Sequence, residues 1–251
     1  MIKYQRQEEI LKVLETERAV KIRELTQALY VSEATIRRDL NALEKNGIVK
    51  RVFGGVVLTK YLNENLPLDL RERENHDLKE IVANKAAGFL RDGISIIMDG
   101  SSTVKMLLPH LNAFKNLMIV TNSLDVINSI HNPQIKILCT GGHFHSKNQV
   151  FFGHLAEDML KGIHVDMLFF SSQGYSDSGE MTDSSEAESS IRRVMISRAD
   201  TKVFLCDHTK LGKSYTFSVC SKSDVNHIVC DIELPQQRQA PQKHSTMWKG
   251  L

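Results

Sequence analysis

Val31-Ser32-Glu33-Ala34-Thr35-Ile36-Arg37-Arg38-Asp39-Leu40 reads as a helix start followed at once by two arginines. Ser32 suits the N-cap position, because its hydroxyl accepts from an orphan backbone N–H one turn on. Ile36, Leu40 and Leu43 fall at i, i+4 and i+7 and make one apolar stripe. The opposite face carries Ala34, Arg38, Asn41 and Lys45, with Thr35 and Arg37 on its flanks. Such a face suits a DNA major groove. Arg reads guanine edges, Asn reads adenine, and the small Ala lets the helix come close.

The preceding residues fit the same reading. A first amphipathic helix is expected over about Gln5 to Thr16, burying Ile10, Leu11, Val13 and Leu14. A second runs from about Lys21 to Leu29, with Ile22, Leu25 and Leu29 at helical spacing. Tyr30-Val31 then turns the chain into the basic third helix, which completes a helix-turn-helix. Asn46-Gly47 stops that helix, since both residues accept a left-handed conformation. Two β-rich runs, Ile48–Phe53 and Val56–Leu58, flank Gly54-Gly55 and predict a hairpin. A hairpin after a recognition helix is a wing, and Arg51 on it reaches phosphate or a minor groove. An Arg-Arg pair alone is more often a solvated helix face. It is the order of helix, turn, capped basic helix and hairpin that carries the nucleic-acid reading.

The chain has 251 residues and a net charge of only +2. That charge is unevenly spread: residues 1–60 hold twelve Lys/Arg against eight Asp/Glu. A basic end on a slightly acidic body puts the anionic polymer at the first domain alone. The four cysteines, at 139, 206, 220 and 230, form no CxxC pair. Three of them, Cys139, Cys206 and Cys230, lie in apolar strand-like runs, where a buried reduced thiol is usual. Without a signal peptide pattern or a run of membrane-spanning length, a cytoplasmic protein with no membrane partner is expected.

Beyond a charged linker at 59–77, apolar strands alternate with amphipathic helices over 78–232, and a Gln/Pro/Lys-rich tail follows at 233–251. Helices are expected at Leu78–Leu90, Ser102–Leu111, Leu124–Ile130, Phe151–Leu160 and Glu186–Arg198. Strands are expected at Ile94–Met98, Leu117–Val120, Ile135–Cys139, Asp166–Phe170, Lys202–Cys206 and His227–Cys230. The fold class is therefore α/β. A winged helix-turn-helix domain at 1–58 precedes an α/β domain with a largely parallel sheet covered on both faces.

Ligands of open α/β sheets sit at the carboxyl ends of strands. The first strand ends in Asp99-Gly100-Ser101-Ser102-Thr103, where a tight turn, hydroxyls and a helix start favour a phosphate. Later strand ends carry Thr121-Asn122-Ser123, Thr140-Gly141-Gly142, Ser171-Ser172-Gln173-Gly174 and Asp207-His208-Thr209-Lys210. Lys210 suits neutralising a phosphate, and Asp207 suits accepting from sugar hydroxyls. Each is weak alone, because Ser and Gly after a strand are mostly turn and cap residues. Together they predict one crevice for a small polyhydroxylated anion. His143, His145 and His154 lack a matching carboxylate or cysteine and are read as pocket rim rather than metal ligands. Met159, Met167 and Met195 read as core filler.

VSEATIRRDLNALEKNGIVKRVFGG, residues 31–55, closely resembles the DeoR family of bacterial transcriptional repressors, and the strand-end motifs resemble that family's effector domain. The resemblance implies a winged N-terminal domain, a C-terminal domain related in fold to ribose-phosphate isomerase, a phosphorylated sugar as effector, and homo-oligomers, dimer or tetramer, on double-stranded operator DNA. It places Asp99, Ser101, Ser102 and Thr103 in a phosphate loop near Lys210, and Ser32, Thr35, Arg37 and Arg38 at the DNA. Many relatives carry an acidic residue where this chain has Ser172-Gln173-Gly174. Related isomerases need a carboxylate base there, so its absence argues against catalysis. Arg192 stands where the family often has Lys. The expected function is a metabolite-controlled repressor without cofactor. An isomerase-like enzyme or a non-sensing scaffold stands as the alternative.

Overall fold

The computed structural model describes residues 2–17, 19–46, 48–52, 55–58 and 68–234. The N-terminal elements are α1 (Lys3–Glu17), β1 (Ala19–Lys21), α2 (Ile22–Leu29), α3 (Glu33–Lys45), β2 (Val49–Val52) and β3 (Gly55–Leu58). Ile10, Leu14, Leu25, Ile36, Leu40 and Leu43 form their core. Ser32 caps α3, its Oγ accepting from the Thr35 N–H at 3.3 Å. Tyr30 ends α2 in the left-handed conformation, at φ 52°. The wing has three strands in the order β1-β3-β2, all antiparallel. Sequence reading missed β1, whose three residues are too few to show a period. Gly55, expected in the turn, pairs with Val52 instead; residues 53 and 54 lie outside the described residues.

The rest comprises α4 (Leu68–Arg73), α5 (His76–Ala86), β4 (Ser95–Met98), α6 (Ser102–Lys105), α7 (Leu108–Leu111), β5 (Met118–Thr121), α8 (Leu124–Ser129), β6 (Lys136–Cys139), β7 (His143–His145) and β8 (Val150–Phe152). It continues through α9 (His154–Lys161), β9 (Val165–Phe170), β10 (Gly174–Tyr175), β11 (Glu180–Asp183), α10 (Glu186–Ser197), β12 (Ala199–Cys206), β13 (Phe217–Ser221) and β14 (His227–Cys230). Six strands form a parallel sheet in the order β14-β12-β9-β4-β5-β6. Alternate residues feed two cores: Ile96, Met98, Phe169, Val203 and Leu205 on one face, Ile97, Leu168, Phe170 and Phe204 on the other. That alternation is the strand period of two with both faces covered.

Four expectations are corrected. Phe151 begins no helix; it pairs with Phe144 in the β7–β8 hairpin, and Gly153 at φ 88° separates the hairpin from α9. The helix expected at Ser102–Leu111 is two short helices. Pro109 has no N–H to donate to the Lys105 carbonyl, so the helix cannot run through. Residues 68–73 of the expected linker are helical, with Leu68 buried; residues 59–67 lie outside the described residues. Cys139 is exposed, because β6 is the sheet's edge strand. The loose tail expected at 233–251 falls, from residue 235 on, outside the described residues. Among the described residues no helix is long and apolar enough to cross a membrane.

Candidate functional site

The face of α3 that sequence reading assigned to DNA is presented outward. Ser32, Arg37, Arg38, Asn41 and Lys45 are exposed and Thr35 is half-buried. They are not all idle. Arg37 pairs with Glu33 one turn back, at 2.5 Å. Arg51 on β2 donates to the Glu44 carboxylate at 2.9 Å through Nε, and to Asn41 Oδ1 through Nη2. Its backbone N–H meets the same carboxylate at 3.0 Å and, with the guanidinium, holds the Glu44 carboxyl below its ordinary range. The wing and α3 are thus one tied unit, joined through Arg51, Glu44 and Asn41. Asp39 is the residue sequence reading missed. It points inward and pairs with Arg6 of α1.

In the α/β domain, the strand order reverses between β4 and β9, and a cavity of about 460 Å³ opens beside their carboxyl ends. That is the switch point where such sheets take ligands, and the volume suits a small molecule. Ser101 and Ser102 line it from the β4 end, Ser171, Ser172 and Gln173 from the β9 end, and Asp207, Thr209 and Lys210 from the β12 end. Lys210 Nζ donates to Ser171 Oγ at 2.7 Å and Thr103 Oγ1 at 3.2 Å, which leaves one of its three donors. Asp207 caps the turn at His208–Lys210 with one oxygen. Its other oxygen, Oδ2, is buried without a partner.

Lys79 is the cavity residue the sequence did not signal. It is buried on α5, with Nζ donating to the carbonyls of Glu74, at 2.6 Å, and Arg71. Burial, and then the nearby Lys210 charge, push its pKa down to about 8. Burial likewise lowers Lys210, against the pull of Asp207. Two ammonium groups therefore face one cavity and disfavour each other there. Arg71, Glu74 and Asn75, from the segment expected to be linker, line the same space.

Asp99 stands behind the cavity, not in it. Its carboxylate accepts from the Ser101 N–H at 3.0 Å, Ser101 Oγ at 2.5 Å, the Ser171 N–H at 3.2 Å and Arg192 Nε at 2.7 Å. Arg192, buried on α10, also pairs with Asp183 and with Glu188 at 3.1 Å. Burial works against the guanidinium's charge, yet these carboxylates hold its pKa above the ordinary value. Burial pushes Asp183 up to about 6. Asp183 also accepts from the Gln173 N–H at 2.9 Å, so this acid, ten residues on, shapes the loop that lacks one of its own.

The ends of β5 and β6 do not line the cavity. They lie beyond β4, and the β7–β8 hairpin covers them: the Phe151 N–H donates to the Asn122 carbonyl at 2.8 Å. Thr121 Oγ1 is spent on the Met98 carbonyl and Ser123 caps α8. Gly142, at φ 110°, allows a close approach; a Cβ there would stand 2.6 Å from the Phe152 carbonyl. Gly100 similarly makes room for Val150, and Gly174 for the Lys213 carbonyl, which brings the loop bearing Tyr215 to the cavity. Of the histidines, His143 and His145 are exposed on β7, and His154 heads α9. Among the described residues no group of three or more His, Cys, Asp or Glu is placed to hold a metal ion.

Two family models match the chain. The DeoR-like helix-turn-helix domain matches residues 6–61 and the DeoR C terminal sensor domain matches residues 74–232. The HTH-type transcriptional regulator GolR of Listeria innocua is 32% identical over 93% of this chain and 92% of its own. The L-fucose operon activator of Haemophilus influenzae is 31% identical over 93% and 94%, and the lactose phosphotransferase system repressor of Staphylococcus aureus is 29% identical over 93% and 94%. Among solved structures, ribose 5-phosphate isomerase A from Methanocaldococcus jannaschii is similar at 17% identity and a TM-score of 0.41, covering 55% of each chain. Nothing about this chain's chemistry follows from that likeness. A helix-turn-helix with a basic outward face, joined to a domain that the family uses for sensing and not for catalysis, has one reading: this chain belongs to the DeoR family and is a DNA-binding transcriptional regulator.

Proposed function

We propose that this regulator is a repressor of genes for the uptake or breakdown of a sugar, and that the phosphorylated form of that sugar is its effector. The observation that carries the reading is the charge of the switch-point cavity. Lys79 and Lys210 each use two of three ammonium donors on partners in the protein, and they line the cavity together with Ser101, Ser102 and Ser171. Those groups suit a phosphate, and the unpartnered Asp207 Oδ2 suits a sugar hydroxyl. The names of two relatives, an L-fucose operon activator and a lactose phosphotransferase system repressor, support a sugar as the signal.

The effector contacts are assigned to Ser101, Ser102, Gln173, Asp207 and Lys210; Thr103, fully buried outside the lining, positions Lys210 instead, and Asp99 and Arg192 hold the loops. The chain works as a homo-oligomer, dimer or tetramer. Paired recognition helices then read half-sites about one helical turn apart or a multiple of that. The effector shifts DNA affinity only so far as it binds the two states unequally. A thermal-shift panel of pentose and hexose phosphates tests the reading, since a ligand at one hundred times its Kd stabilises by about 2.7 kcal/mol. No stabilisation by any of them, with operator binding intact, would overturn it.

A further inference from the structure

The cavity is not made by the sensor domain alone. Lys50 and Val52 of wing strand β2 line it together with Lys79, Lys210, Lys213 and Tyr215. The strand period explains how one short strand serves two domains. Val49 is buried in the helix-turn-helix core, and Arg51, on the same side, is tied to Glu44 and Asn41 of α3. Lys50 and Val52 therefore project from the other side. One side of β2 belongs to the DNA-reading unit, and the other closes the cavity.

We propose that Lys50 is an effector-binding residue supplied by the DNA-binding domain, and that effector occupancy holds the wing against the sensor domain. This rests on the cavity being the effector site. Without an anion, the Lys50 ammonium adds like charge to a cavity already lined by Lys79, Lys210 and Lys213, which weakens the closed arrangement. An anionic ligand reverses the sign of that interaction and favours closure. Operator DNA is a competing polyanion for the same wing. A wing held at the cavity is not free to settle on a duplex, so effector and operator select different placements of β2. Coupling is reciprocal: the factor by which effector weakens operator binding is the factor by which operator weakens effector binding.

Two measurements on the full-length chain test this. The first needs no ligand. Spin labels are placed at Val52→Cys and Lys213→Cys in a Cys139→Ser background, and their separation is read with and without operator duplex. A distribution with a short component in free protein, which operator removes, is expected. A free-protein distribution without any short component overturns the placement of the wing. The second compares wild type with Lys50→Gln, using inorganic phosphate, ribose 5-phosphate and glucose 6-phosphate as probes. For a probe that binds wild type, Lys50→Gln should weaken binding about tenfold, as loss of one charge-assisted hydrogen bond does. It should also shrink the ratio of operator affinities without and with probe. Lys161→Gln, at an exposed position on α9, should leave probe affinity and that ratio alone. Unchanged probe affinity and ratio in Lys50→Gln overturn the role of Lys50. If no sugar phosphate binds wild type, the effector reading fails, while the label distances still decide where the wing sits.

Discussion

Arg192 Nε donates to the Asp99 carboxylate at 2.7 Å, with both side chains almost wholly buried. This pair joins α10 to the carboxyl end of β4, and the same carboxylate receives the N–H groups of Ser101 and Ser171. One guanidinium so fixes both loops at the switch point. Removing it strands Asp99, Asp183 and Glu188 in the interior. Arg192→Met should cost about 3–5 kcal/mol of stability, the usual consequence of leaving buried charge uncompensated. Urea denaturation of the variant checks this, and a midpoint equal to wild type would mean that Arg192 is no more than a ligand contact.

The proposed effector site predicts that Lys79 makes binding depend on pH. Its pKa of about 8 lies below the ordinary 10.5 because it is buried. Below pH 8 it is charged, and above that it loses its proton. Affinity for a phosphorylated sugar should therefore fall as pH rises from about 7 to 9, and Lys79→Met should bind more weakly with a flatter profile. The sign for folding is the opposite. Between 8 and 10.5 the unfolded chain holds more protons at this group than the folded one, so its contribution to stability rises with pH. Calorimetric titrations at three pH values separate the two effects; a wild-type affinity that does not change over this range removes Lys79 from the site.

Much of this was legible in the sequence, and the misses have physical causes. The recognition helix was readable because a cap, a period of 3.6 and a run of charge all fall within ten residues. The parallel sheet was readable because its strands are covered on both faces and appear as apolar runs. Asp39 was not, since one buried carboxylate on a polar helix becomes visible only when Arg6 arrives from another element. Lys79 was not, because its partners are backbone carbonyls, which no side-chain pattern reports. The Thr121–Ser123 and Gly141-Gly142 ends read as ligand loops because their residue types match; the hairpin that covers them depends on long-range pairing.

Arg38 is exposed in the middle of the outward face of α3. Arg38→Ala should lose about 1–3 kcal/mol of discrimination between operator and scrambled duplex, as a lost bidentate base contact does. Competition binding checks it, and an unaltered preference would exclude Arg38 from base reading.

Arg51 differs, because Glu44 and Asn41 already hold it. Arg51→Ala should free the wing from α3 and weaken binding to all duplexes alike. The slope of log affinity against log salt should fall by about 1 if Arg51 also meets a phosphate. A fall in affinity with the slope intact would assign Arg51 to positioning the wing.

Tyr30 ends α2 at φ 52° while 94% exposed, so its ring contributes nothing to the core and its backbone sits where glycine is favoured. Tyr30→Gly should stabilise the chain by about 1 kcal/mol. A lower unfolding midpoint would show that the ring has a packing partner in the assembled protein.

The most direct test is binding of the full-length chain to duplex from its own upstream region, at low salt, with and without a panel of sugar phosphates. Salt-sensitive binding that one sugar phosphate weakens at least tenfold, in wild type but not in Lys210→Ala, is the expected result. Failure to bind any duplex, or binding that every sugar phosphate leaves untouched, would contradict it.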